Sequence, residues 1–248
     1  MAPSMILSVA GALLALGSAT FSSAQNGEGL TTYTVTLGKE GECLTEIDEA
    51  REAAGLEKFV QPTADEPKKR LPLDTTKAAW DPLCKDLLSE GATRISREAI
   101  SDFEEGTYAF NILSSSKVDC SETVDHWKGA HKNFEGLPPT YSANVEVYKD
   151  KLNVSFVAMY NPSSGATADC RLATCTEVVA EGRSGPESQN RQAFIFICMT
   201  TPDILVDNKA PFTQEEWNKI SSAITGSAAV AFPSFIVVAM TVLSIAML

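Results

Sequence analysis

The sequence predicts an α+β domain in which helices are layered against a sheet and three disulfides hold the layers, and three observations carry that prediction. The first is the stretch from Cys170 to Pro202. Here Cys170-Arg-Leu-Ala-Thr-Cys175 and Phe194-Ile-Phe-Ile-Cys198-Met-Thr-Thr-Pro202 are β-favouring runs on either side of a polar loop, Glu181 to Pro186, and read as a disulfide-stapled strand pair at the centre of a sheet. The second is apolar recurrence at three and four residues after Cys43 and again after Cys120, the signature of amphipathic helices. The third is the even count of 6 cysteines, at positions 43, 84, 120, 170, 175 and 198. In an exported chain that parity implies three disulfides, with about fifteen pairings open.

Taken in order, the first 24 residues carry no charged side chain, and Met5 to Leu16 is an apolar run ending before Ser22 and Ala24. This is the pattern of a secretory signal peptide over residues 1–24. Thr31 to Leu37 then suits a strand or extended arm. From Cys43, Leu44, Ile47, Ala50, Ala54 and Leu56 form an apolar stripe with acids early and Gly55 near the end, which predicts a helix. Pro62 to Pro72 is a loop whose Lys68, Lys69 and Arg70 read as solvated charges, with a small patch for acidic glycans as the functional alternative. Ala78 to Leu88 predicts a second helix around Pro82, with Ile95 to Phe103 continuing it, and Thr107 to Leu113 alternates like a strand.

Beyond Cys120, Val124, Trp127, Ala130, His131 and Phe134 share a helical face that stops at Gly136 and Pro138-Pro139. Glu122 and His126, one turn apart, could form an acid–base or metal pair but read as structural. Val145 to Tyr148 and Leu152 to Tyr160 are expected as two strands joined by a hairpin turn at Lys149-Asp150-Lys151. Asn153-Val154-Ser155 is the usable glycosylation sequon, since Asn161 precedes proline. Thr213-Gln-Glu-Glu216 is a capping box opening a last helix with Trp217 and Ile220.

From Ala228 to Leu248 no residue is charged, and Phe232 to Leu248 is almost wholly apolar with no basic anchor after it. This pattern predicts a glycosylphosphatidylinositol (GPI) attachment signal over residues 222–248 rather than a membrane span. Ser221 and Ser222 are the first candidates for the attachment site and Gly226 the second. A single domain, residues 25–221, remains between the two signals. All formal charges fall within it, 32 acidic against 20 basic, for a net charge of −12. That acidity disfavours nucleic acid and anionic lipid as partners. Without a CxxC pair, and with His126 and His131 the two histidines available, no metal site or cofactor is expected. A Gly-rich phosphate loop and a GxSxG elbow are also absent from the sequence.

A signal peptide, an acidic six-cysteine ectodomain and an anchor tail together resemble the SAG surface antigens of coccidian parasites, of the Eimeria type rather than the all-β Toxoplasma type. The resemblance implies a non-catalytic protein on the outer face of the plasma membrane. It also implies a role in host-cell attachment and immune recognition, with a host receptor or glycan and host antibodies as partners.

The residues are also similar to the CAP superfamily of cysteine-rich secretory proteins, venom antigens and plant pathogenesis-related proteins, which implies a three-layer α/β/α sandwich. The CAP pattern HNxxRxxxGL is met by Arg51, Gly55 and Leu56 but has Ile47 for its histidine. AVxxWxxE is met by Val124 and Trp127 but has Ala130 for its glutamate, and a GHxTQ strand aligns with Asn153 to Val157, placing Val154 where a second histidine would be. The resemblance thus implies a CAP scaffold whose metal cavity is lost at Ile47, Ala130 and Val154. It implies pairings Cys175–Cys198 and Cys120–Cys170, which leave Cys43 with Cys84. A CAP-like sterol or lipid carrier is the alternative function.

Overall fold

The computed structural model describes residues 32–75, 78–89, 95–96, 98–178 and 191–226. The amino-terminal segment 1–24, the loop through 181–186 and the tail from 227 lie outside the described residues. Four strands form one sheet: β1 (Thr32–Leu37), β2 (Thr107–Leu113), β3 (Thr167–Val178) and β4 (Gln192–Thr201). Their order is β1-β3-β4-β2 and every pairing is antiparallel. The strand pair expected between Cys170 and Pro202 is therefore the centre of the sheet.

Among the described residues, five α-helices accompany the sheet: α1 (Leu44–Ala53), α2 (Asp81–Leu87), α3 (Cys120–Lys128), α4 (Lys151–Met159) and α5 (Gln214–Gly226). Side chains alternate across a strand, so β4 sends Phe196 and Cys198 to one face and Ile195, Ile197 and Met199 to the other. Each face has its own core. On the first, α1, α3, α4 and α5 bring Ile47, Trp127, Phe156, Trp217 and Ile220. On the second, α2 and the segment around it bring Trp80, Leu83, Leu87 and Phe103. A strand buried on both sides reads as a continuous apolar run, which is why Phe194 to Met199 lacks polar alternation.

The same alternation decides the disulfides. Cys170 and Cys198 face each other across the central pair, on the first face, with Cα atoms 4.0 Å apart, and are bonded. Cys175 lies five residues from Cys170, so it points to the second face and bonds Cys84 of α2. Cys43, before α1, bonds Cys120, the first residue of α3. The pairings Cys175–Cys198, Cys120–Cys170 and Cys43–Cys84 are thus corrected. Cys175 and Cys198 stand on opposite faces of the sheet and cannot meet.

The second correction is α4. The segment expected as a strand is a helix, preceded by a 3-10 turn at Glu146–Tyr148. Asp150, expected in a hairpin turn, is instead the helix cap, its Oδ1 accepting from Leu152 N at 2.9 Å. Every residue from Asn153 to Met159 is buried, so no polar stripe exposes the 3.6-residue period. The GHxTQ-like stretch is therefore helical. Ile95 to Phe103 also falls short of the expected helix, with a 3-10 turn at Glu98–Ile100 among its described residues.

Other local expectations hold. Gly55 has φ +69, and Gly55 N and Leu56 N return to the carbonyls of Glu52 and Arg51 at 2.9 and 3.0 Å, closing α1 with a Schellman motif. At the start of α5 the capping box forms, with Thr213 N donating to Glu216 Oε2 and Glu216 N to Thr213 Oγ1. Arg51, fully buried, ties α1 to α4. Its Nη1 donates to Met159 O at 2.8 Å and its Nε to Glu57 O at 2.9 Å, and the guanidinium lies 3.6 Å from the centre of the Phe59 ring. Burial pulls its pKa down to about 10, which leaves it charged at neutral pH, facing the carbonyl end of α4.

Candidate functional site

An edge strand presents unpaired backbone groups unless something covers them. On β2 the cover comes from α3 and α4: Phe110 N donates to Ser155 Oγ at 2.9 Å and Phe110 O accepts from Trp127 Nε1 at 2.8 Å. Two adjoining grooves flank this contact, of about 830 and 910 Å³, and share Ile95, Phe110, Lys149 and Lys151. The first adds Tyr108, Tyr141, Tyr148 and Asp203; the second adds His126, Glu146, Asp150 and Asn153.

The polar groups of the grooves mostly serve the fold. Tyr108 and Tyr148 donate their hydroxyls to Glu104 O and Pro139 O, both short contacts, and burial pushes both phenols up, away from any phenolate at neutral pH. Asp203 accepts from Thr107 Oγ1 and from Leu205 N. Lys149 pairs with Glu146 at 2.6 Å. Such a surface can hold a partner by shape and mixed charge. Glu122 and His126 both stand exposed on α3.

Ile47, Ala130 and Val154, the positions expected to mark a lost CAP cavity, all belong to the first core. The space between α3, α4 and α5 is filled by rings: Phe156 meets Phe134 at 5.6 Å, Tyr160 at 5.1 Å and Trp217 at 6.0 Å between centroids. Among the described residues, the one three-residue cluster with metal-capable atoms is Glu42, Cys43 and Cys120, and its two sulfurs are bonded to each other.

Asn153 is a further correction. It is 3% exposed, its Nδ2 donates to Val147 O at 2.8 Å and its Oδ1 accepts from Asn133 at 2.7 Å. A glycan on that nitrogen is incompatible with this fold. Arg70 departs from the solvated reading of its loop and is buried, whereas Lys69 pairs at the surface with Glu66.

The anchor candidates Ser221, Ser222 and Gly226 all lie on α5. Ser221 Oγ is 2.9 Å from His131 Nε2, and the His131 ring stacks on Trp217 at 4.9 Å between centroids. Burial lowers the His131 pKa below the usual 6.5. As pH falls through that value the unfolded chain takes up a proton that the folded chain refuses, so stability is present above about pH 6.5 and declines below it. Urea unfolding across pH 7.5 to 4.5 should show this loss, and His131→Gln should have a shallower slope than the parent.

A family model described as the sporozoite surface antigen (SAG) protein domain matches residues 39–239. The sporulated oocyst TA4 antigen of Eimeria tenella is 30% identical over 197 residues, covering 74% of this chain and 75% of that protein. No solved structure matches the fold. With the match running through β2, β3 and β4, all five helices and all six cysteines, the chain belongs to the sporozoite surface antigen family.

Proposed function

We propose that this protein is a GPI-anchored antigen on the outer face of the parasite plasma membrane, attaching to host cells through a receptor or glycan, seen by host antibodies, and without catalytic activity. Family membership carries the reading. It is supported by a sheet with a core on each face and by three disulfides, one joining α1 to α3 within the first layer, one tying α2 to β3 and one joining β3 to β4. A frame of this kind holds a surface in one shape outside the cell, where thiols oxidise. The grooves beside β2 are the contact surface we favour, since their mixed charges suit a polar partner.

The sequence tail supports the anchor, and α5 bears on where it attaches. Ala223 and Ile224 pack against the first core, so attachment at Ser221 or Ser222 would remove the last turn of the helix, and attachment at Gly226 would keep it. Phosphatidylinositol-specific phospholipase should release the protein from intact parasites, with the lipid-bearing peptide ending at Gly226. Retention on the cells after treatment overturns the anchor. Purified folded protein should bind host cells saturably, and binding no greater than that of the reduced, unfolded chain overturns the attachment role.

A further inference from the structure

Away from the grooves, four charged side chains meet where the loop around Arg70 crosses β3. Arg171 Nε donates to Asp169 Oδ1 at 2.9 Å, and Asp169 Oδ2 accepts from Leu71 N at 3.0 Å. Arg171 Nη2 donates to Glu40 Oε1 at 2.8 Å, and Arg70 Nη2 donates to the same oxygen. Asp169, Arg70 and Arg171 are all more than nine-tenths buried, while the Glu40 side chain is 46% exposed. Arg70 Nε is buried and has no hydrogen-bond partner among the described residues.

The geometry of a guanidinium gives that orphan a direction. Nε–H and Nη2–H lie side by side and point the same way, forming the edge that grips two oxygens of a carboxylate, sulfate or phosphate at once. Glu40 fills half of this edge on Arg70, because the oxygen it offers is shared with Arg171. Folded proteins leave few buried donors in this state. Glu40 is also the exposed member of the set, free to swing outward without unpacking a core.

We propose that Arg70 and Arg171 form a binding site for a single tetrahedral oxyanion, a sulfate or phosphate monoester, and that Glu40 occupies it as an internal carboxylate which the ligand displaces. A tetrahedral group has enough oxygens to meet Nε and Nη2 of Arg70 and Nη2 of Arg171 together. With Glu40 out, Arg70, Arg171 and Asp169 leave one net positive charge facing the ligand. The surrounding net charge of −12 repels an extended polyanion, so the site selects one anionic group rather than a charged polymer. The site is independent of the attachment role, and its test needs no cells.

The test is a titration of the purified protein with sodium sulfate at constant ionic strength, with sodium acetate as the planar control, following the Arg70 Nε–H resonance by nitrogen-15 NMR. Sulfate should shift that resonance saturably and acetate should bind more weakly. Glu40→Gln, at a half-exposed position, should tighten sulfate roughly tenfold by removing the competing unit charge. Arg171→Met, which keeps the Arg70 reporter, should abolish the saturable sulfate shift; if that variant fails to fold, Glu40→Gln decides. Glucose 6-sulfate and glucose 6-phosphate, run in parallel, identify the source by which binds more tightly. A resonance indifferent to sulfate, a sulfate affinity unchanged by Glu40→Gln, or acetate binding as well as sulfate overturns the proposal.

Discussion

Arg51→Ala is expected to lower the unfolding free energy by about 3–5 kcal/mol, from an orphaned buried carbonyl at Met159, a lost part-buried contact to Glu57 O and a large cavity. Arg51 holds the carbonyls of Glu57 and Met159 and lies against the Phe59 ring, so its removal loosens α1 from α4 at a point with no other polar contact of its kind between them among the described residues. Native domains are stable by roughly 5–15 kcal/mol, so this one change takes a large share. Arg51→Met refills most of the volume without the hydrogen bonds and should fall between the parent and Arg51→Ala in urea unfolding. A loss below about 1 kcal/mol for the alanine variant would contradict the role given to the guanidinium.

The second large effect is expected from the double substitution Cys84→Ser with Cys175→Ser. This bridge closes 91 residues of sequence and is the covalent tie between α2 and the second face of the sheet. Its loss should cost about 2–5 kcal/mol. Removing Cys170–Cys198, which closes 28, should cost about 1 kcal/mol less on chain-entropy grounds alone. Hydrogen exchange should accelerate first in α2 and around Trp80, with α1, α3 and α5 protected longer. The two faces have separate cores, so they can loosen separately. Simultaneous loss of protection on both faces would contradict that division.

Several elements are written plainly in the sequence because one physical signal dominates each. The central strand β4 is apolar on both sides, β2 spans the residues expected of it, and the Thr213 to Glu216 box forms as its spacing predicts. The pattern Arg51-x-x-x-Gly55-Leu56 also has a local reason: Gly55 supplies the left-handed turn, Leu56 closes it and Arg51 reaches α4. The likeness to CAP proteins at these positions needs no shared cavity.

What the sequence hid has equally specific causes. Helix α4 is surrounded, so Leu152 to Met159 shows neither a polar stripe nor a period, and its β-branched valines argue for a strand that the buried setting overrules. The Asp150 cap was the available signal. Cysteine parity gives the number of bridges and not their partners, although the five-residue spacing of Cys170 and Cys175 in one strand does place them on opposite faces. The oxyanion site combines residues 40, 70, 169 and 171, and Arg70 is hidden within a run of bases that ordinarily faces water.

Three particular bridges brace the central sheet and its helices: one within the first helical layer, one from α2 to β3 and one between β3 and β4. Proteolysis of the unreduced protein followed by mass spectrometry tests this arrangement most directly. Cross-linked peptides should join Cys43 to Cys120, Cys84 to Cys175 and Cys170 to Cys198. A peptide joining Cys175 to Cys198 would contradict the account, since the two could bond only if the central strand pair had a different register.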